Sequence, residues 1–218
     1  MYSNKISAAL AAAVLFFAGA PAQASLITTA PVGTTTVLGT VTGTWTNAAS
    51  VVAGGYNVFA PAGSDVWYGD AAYGLNDNGG WGNFAWVGGY CFSGACTATF
   101  DLGGLYAAVG GFMNYAVSGG APAAGNPLIE ALAADGVTVL ESYNLFADAP
   151  IVTPGATNGG AFRGIARTSA DIAYFRISGD YLIQHDLTVG GASVPEPGAL
   201  ALLGVGLAGL ALIRRRRV

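Results

Sequence analysis

His185 is the only histidine in the chain, so a metal site built on several imidazoles is excluded. A Ser-His-Asp arrangement would have to use this one residue, whereas its place in an alternating run fits a packed or edge side chain. Carboxylates are plentiful: eleven lie between residues 25 and 193. Glycoside hydrolysis needs two of them about 5–10 Å apart, one held protonated. Glu130 and Glu141 are nearly symmetric about Ala134-Asp135-Gly136 and would face each other across a hairpin. Like charges directly opposite destabilise a sheet unless they are exposed or bridged by a cation. Spacing selects no catalytic pair, and the chain is read as non-enzymatic, with a secreted hydrolase as the remote alternative.

Three further groups of residues could bind something. Leu75-Asn76-Asp77-Asn78-Gly79-Gly80, with Asp70 nearby, offers oxygen ligands in a turn. Calcium takes six to eight oxygens, so Asp77 is a weak calcium candidate; the same residues are ordinary turn chemistry. No cofactor is otherwise expected. Trp67, Tyr68, Tyr73, Trp81, Phe84, Trp86 and Tyr90 crowd one Gly- and Asn-rich stretch. Phe84, Trp86 and Tyr90 alternate as on one strand face and read as core, while Trp67 and Trp81 are candidates for a glycan-binding platform, since sugar C–H faces stack on aromatic rings. Arg163, Arg167 and Arg176 could form one patch for an acidic polysaccharide, or could simply pair with surplus carboxylates.

The charge excludes other partners. Between residues 25 and 193 those three arginines stand against eleven carboxylates, a net charge of −8 with no lysine. Such a domain repels nucleic acid and anionic membrane surfaces. Cys91 and Cys96 flank Phe92-Ser93-Gly94-Ala95, neither a C-x-x-C nor a metal spacing. If Ser93-Gly94 is a two-residue hairpin turn, the cysteines meet in the next non-hydrogen-bonded pair and form a disulfide; two free thiols are the alternative. Disulfides belong to oxidising compartments.

The elements that must position these groups read as strands. Gly is abundant, Thr, Val, Tyr and Phe recur, and turn signals come at short intervals. Val32–Trp45, Asn83–Tyr90 and Ala95–Leu102 are strand-like, and Leu105–Val117 is an apolar stretch broken at Gly110-Gly111. Leu128–Ala133 is a strand or a short helix, and Val137–Tyr143, Ala161–Ala166, Ile172–Ser178 and Tyr181–Val189 are strands. The last alternates Tyr181, Ile183, His185, Leu187 and Val189 against Leu182, Gln184, Asp186 and Thr188. The expected fold is all-β, a two-sheet β-sandwich of jelly-roll type without an internal repeat.

Both ends carry address labels. Lys5, the apolar Ile6–Ala20 and Ala22-Gln23-Ala24 ahead of Ser25 form a secretory signal peptide, residues 1–24, cleaved between Ala24 and Ser25. That implies the Sec machinery and signal peptidase as partners. Residues 25–193 are then one exported domain. Residues 194–218 hold Pro195-Glu196-Pro197, the apolar Gly198–Ile213 and Arg214-Arg215-Arg216-Arg217. The apolar run, as a helix, spans about 24 Å against a hydrocarbon core of about 30 Å; snorkelling and local thinning close that gap. Arg214, Arg215, Arg216 and Arg217 stay cytoplasmic by the positive-inside rule, leaving the domain outside. Pro195 and Pro197 keep the transmembrane helix from running back into the domain.

This tail resembles the C-terminal sorting signal of PEP-CTERM proteins in element order, spacing and position; the other reading is a plain anchor with a Pro-rich elbow. The resemblance implies an exosortase-type membrane enzyme that recognises Pro195, Glu196 and Pro197 and cleaves near them. It also implies transient anchoring in the inner membrane, then delivery to the outer envelope, cell surface or extracellular matrix, in association with exopolysaccharide or biofilm. A looser likeness covers Ala161-Phe162-Arg163-Gly164-Ile165-Ala166 and Ile172–Gly179, similar to the paired closing strands of such ectodomains. It carries over no active-site residue. The leading expectation is a non-catalytic exported protein, with a carbohydrate-binding module as runner-up.

Overall fold

The computed structural model describes residues 24–38, 46–82, 84–90, 96–123, 125–155, 157–179 and 181–191. Residues 24–192 form one compact unit. The signal peptide up to Gln23, Cys91, Pro195, Glu196, Pro197 and Arg214–Arg217 lie outside the described residues. Among the described residues no helix is long and apolar enough to cross a membrane, and Gly198–Ile213 is not among them.

The strands are β1 (Ala24–Ile27), β2 (Thr34–Thr36), β3 (Thr46–Ala48), β4 (Ser50–Ala53), β5 (Tyr56–Phe59) and β6 (Asp65–Gly69). Two short ones, β7 (Tyr73–Gly74) and β8 (Gly80–Trp81), precede β9 (Trp86–Tyr90), β10 (Thr97–Tyr106) and β11 (Ala108–Asn114). Then come β12 (Val117–Ser118), β13 (Ala121–Pro122), β14 (Leu128–Leu132), β15 (Val139–Asn144) and a single helical turn, α1 (Leu145–Asp148). The chain closes with β16 (Thr157–Asn158), β17 (Ala161–Arg167), β18 (Ile172–Ser178) and β19 (Ile183–Gly190).

These strands build two large antiparallel sheets. The first runs β1-β17-β11-β19-β9-β6-β3, with β2 also on β19; the second runs β15-β14-β18-β10-β5-β4. Their inner faces share one apolar cluster: Val66, Val87, Val109 and Leu187 from the first, Phe100, Ile129, Phe175 and Ile177 from the second. The all-β expectation therefore holds, and Leu128–Leu132 is a strand. Burial of such side chains, each contributing about 1.5–3 kcal/mol, is what holds the sheets face to face.

Several local expectations need correction. β9 and β10 do not pair: β9 joins β6 and β19, and β10 joins β5 and β18. The expected hairpin turn at Ser93-Gly94, with Cys91, Phe92 and Ala95, lies outside the described residues. β17 and β18 likewise belong to different sheets, so the closing strands are not partners. The β17–β18 turn lets the chain step from one layer to the other because both strands need a face in the shared core. Nor does Gly110-Gly111 break the apolar stretch. β11 runs through it because its neighbours approach too closely for a side chain: a Cβ at Gly110 would lie 2.5 Å from the Arg163 carbonyl oxygen, and one at Gly111 would lie 2.3 Å from that of Asp186.

The outer face of the first sheet is covered by a third, thin layer. β7, β8 and β16 form a small sheet over it, and a second apolar cluster of Trp67, Leu75, Trp81, Trp86, Ala116 and Ile183 lies beneath.

Candidate functional site

The candidate site lies on that outer face, around His185. β11 and β19 pair Gly111 with Leu187 but Phe112 with His185, so Asp186 is left over as a bulge. Asp186 adopts φ +47°, the left-handed region that Asp tolerates better than most residues. The extra residue shifts the alternation by one. Leu187 and Val189 join the inner core with Leu182, while His185 and Ile183 turn outward. The predicted continuous face from Tyr181 to Val189 is therefore split at Asp186.

His185 then lies between two rings. Phe84 stacks on it at 4.9 Å with planes 13° apart, and Phe112 at 5.3 Å and 12°. Trp81 meets the imidazole edge-on at 5.4 Å, and Phe162 closes the row behind Phe112 at 5.7 Å. The imidazole Nδ1 is 3.2 Å from the Asp186 carboxylate, and Nε2 is 3.2 Å from the Gly159 carbonyl oxygen. Both partners are acceptors. A neutral imidazole donates to one of them, and an imidazolium to both. Phe84 is 45% exposed and Phe112 37%, so the stack presents aromatic surface to solvent.

The two tryptophans expected to form a ligand platform do not. Trp67 is 6% exposed and Trp81 1%. Trp67 packs on Trp86 and Tyr90 at 5.7 and 5.2 Å, and Trp81 is roofed by Phe84. Glycine neighbours on either side of Trp81 do not keep it in solvent, because β8 is pinned between β7 and β16 as a lid strand. Conversely Phe84, expected in the core with Trp86 and Tyr90, is exposed, since it precedes β9 and lies outside its alternation.

Beside the stack, the Asn76–Gly79 turn is tied inward. The Asn78 amide donates to Asn114 Oδ1 (2.7 Å) and to the Ile151 carbonyl (3.0 Å), and its oxygen accepts from Thr153 N–H (2.7 Å). Asn114 passes the chain of bonds to Thr153 and Asn158, both at 2.9 Å. Ile151 N–H donates to the Tyr115 hydroxyl, whose ionisation is pushed upward by burial. Asp77 is exposed and accepts from Gly119 N–H at 2.7 Å. With Asn78 turned inward and its oxygen accepting from Thr153, Asp77 is the carboxylate of this turn left at the surface. Among the described residues no three His, Cys, Asp or Glu side chains are grouped closely enough to hold a metal.

The charged groups are dispersed. Glu130 lies opposite Ser142 and Glu141 opposite Ala131, so the two carboxylates point to opposite faces of the second sheet. Glu130 accepts from Arg176 at 2.6 Å. Glu141 accepts from Arg167 at 2.9 Å, a bond that ties the edge strand β15 to β17 of the other sheet. Arg167 also grips Asp171 at 2.7 Å, which holds that carboxyl below its usual range and raises the guanidinium. Arg163 donates to the carbonyls of Ala149, Pro150 and Phe162, and burial lowers its pKa. The three arginines therefore do not make one patch: Arg176 is on the other sheet, and each cation is already engaged. A depression of about 360 Å³ beside Pro61, Ser64, Asp65 and Tyr90 adds only one carboxylate, which accepts from Asn47.

The described residues thus define an all-β domain with an exposed aromatic stack on its outer face. Comparison adds the tail: residues 193–217 match the PEP-CTERM protein-sorting motif. The chain carries this sorting signal, which implies export and processing by an exosortase-type membrane enzyme. No curated protein and no solved structure matches the chain. Sequence reasoning missed the His185 stack, though Gly110-Gly111 inside an apolar run was a signal of the bulge that creates it.

Proposed function

We propose that the chain is a non-catalytic passenger, delivered to the cell surface or extracellular matrix once its two terminal labels have been removed. The observation that carries this reading is the sorting motif at residues 193–217, joined directly to a folded sandwich. Signal peptidase would act between Ala24 and Ser25, and an exosortase-type enzyme near Pro195-Glu196-Pro197. The non-catalytic reading is supported by the dispersal of Glu130 and Glu141 to opposite faces and by the engagement of both His185 ring nitrogens. Cys91 and Cys96, which lie between β9 and β10 in the chain, form a disulfide in this reading, as suits an oxidising compartment; Cys96 is buried. The fold topology is taken as jelly-roll-like.

Intact mass of the protein recovered from the native cell surface and medium tests the proposal. A species beginning at Ser25 and lacking Gly198–Val218 is expected. A surface species that retains Arg214–Arg217 would reduce the tail to an anchor.

A second reading is favoured by the exposure of Phe84 and Phe112 on either side of His185. Their rims offer apolar area next to the Asp186 carboxylate, a combination that suits the C–H face and hydroxyls of an extracellular polysaccharide. Loss of polysaccharide retention in Phe84→Ala and Phe112→Ala would support it. Equal retention by both variants and the parent would remove it.

A further inference from the structure

Both ends of the sandwich leave it at the same pole. Ser25 is paired with Ala166, Ala166 with Ala108, and Ala108 with Gly190. These four residues form one row across the first sheet, so its first and last strands end three strand spacings apart, about 14 Å. From Gly190 only residues 191–197 separate the last strand from the apolar run that begins at Gly198. Seven residues reach at most about 25 Å, which holds this pole close to any bilayer that contains the run.

The same pole carries exposed aliphatic side chains on turns from different parts of the chain. Val32, 89% exposed, sits beside Gly190, since a Cβ there would lie 3.1 Å from the Val32 carbonyl oxygen. Leu105, 57% exposed, precedes Tyr106, which pairs with Ile172 at the start of β18, just after β17 has ended. Val137, 76% exposed, is in the β14–β15 turn, beyond the pairing of Leu132 with Tyr174. Asp135 shares that turn and stays ionised, because the Thr138 hydroxyl and backbone N–H groups hold its pKa at about 2. Arg167, at the end of β17, is already held by Glu141 and Asp171.

We infer that this pole is a membrane-contact surface: Val32, Leu105 and Val137 rest in the headgroup region of the bilayer while the tail is inserted. Three aliphatic tips on separate turns suit shallow interfacial contact, and the charge at the pole suits zwitterionic rather than anionic lipid. The inference rests on the sorting reading, since it needs the tail in the membrane.

The test is photolabelling of the full chain in phosphatidylcholine nanodiscs, with the photoactivatable group near the headgroup in one set and within the acyl chain in a second that reads insertion of 198–213, and adducts located by mass spectrometry. Adducts on the turns holding Val32, Leu105 and Val137 are expected at about fivefold or more over the segment around Val152, an exposed residue near the opposite end of the sheet. The combined variant Val32→Ser, Leu105→Ser, Val137→Ser should lose that labelling while adducts on 198–213 persist. All three positions are exposed, and amide-exchange protection of β10, β11 and β18 would verify the fold. Adducts on 198–213 alone would overturn the inference and leave the sorting reading intact. So would copy-to-copy crosslinks through these turns in place of lipid adducts. No adduct on 198–213 would overturn both.

Discussion

The two faces of the β1-β17-β11-β19-β9-β6-β3 sheet solve different packing problems. The inner face meets another sheet, whose backbone polar groups are already paired in its own ladder, so aliphatic and Phe side chains suffice. The outer face meets two-residue strands and irregular chain, whose carbonyls and N–H groups need partners. It is accordingly built from tryptophans and amides: Trp86 Nε1 donates to the Ala71 carbonyl, and Asn78, Asn114 and Asn158 join the 151–160 segment to β11 and β8. A lid made of loops is specified by hydrogen bonds, whereas a lid made of a sheet is specified by shape.

The contrast breaks first at the inner core. Phe175→Ala empties a fully buried site beside Phe100 and should cost about 3–5 kcal/mol in urea unfolding, with the outer layer lost in the same transition. Asn78→Ala removes the side-chain partner of the Ile151 carbonyl and of the Thr153 N–H, and leaves Asn114 Oδ1 with only its bond from Tyr115 N–H. We expect a loss of about 2–3 kcal/mol, with amide exchange accelerated selectively in 151–158. If exchange instead rises uniformly, the outer layer is not a separable lid.

Gly111→Ala tests the bulge that divides the faces. Its methyl would press on the Asp186 carbonyl and on the Gln184 amide that bonds it, for a loss of about 1–3 kcal/mol and altered His185 ring chemical shifts. Acid should act more gently. The Asp135 and Asp171 pKa values are depressed in the fold, so their contribution is complete above the unfolded value and fades as pH falls through the folded one. For Asp135 that window runs from about pH 4 down to about 2, and Asp135→Asn should flatten the fall in Tm across it. Phe84→Ala is expected to change stability by less than about 0.5 kcal/mol, because the ring is a roof rather than a core member. A larger loss would place Phe84 with the tryptophans.

Alternation and turn residues made most strands legible: β9, β10, β14, β15, β17, β18 and β19 all fall within or beside predicted runs. Partners were not legible. Residues 161–166 and 172–178 read as a pair from their loose likeness to the closing strands of PEP-CTERM ectodomains, yet they lie in different sheets, since pairing is decided by where each strand finds a matching edge and face. Trp67 and Trp81 misled for a related reason. A tryptophan in a Gly-rich stretch looks exposed until the chain around it is folded over a sheet.

What the sequence determined by itself is whatever depends on composition and local order: the acidic, lysine-free exported segment, the β-rich fold and the sorting motif at residues 193–217, whose elements are contiguous. Only the tertiary structure decided the rest. It set which carboxylates meet which arginines, how one bulged aspartate turns His185 out between Phe84 and Phe112, and that Ser25 and Gly190 end in one row. Those are relations between residues far apart in the chain, and register across a sheet is fixed by the fit of whole faces, which no local run of residues encodes.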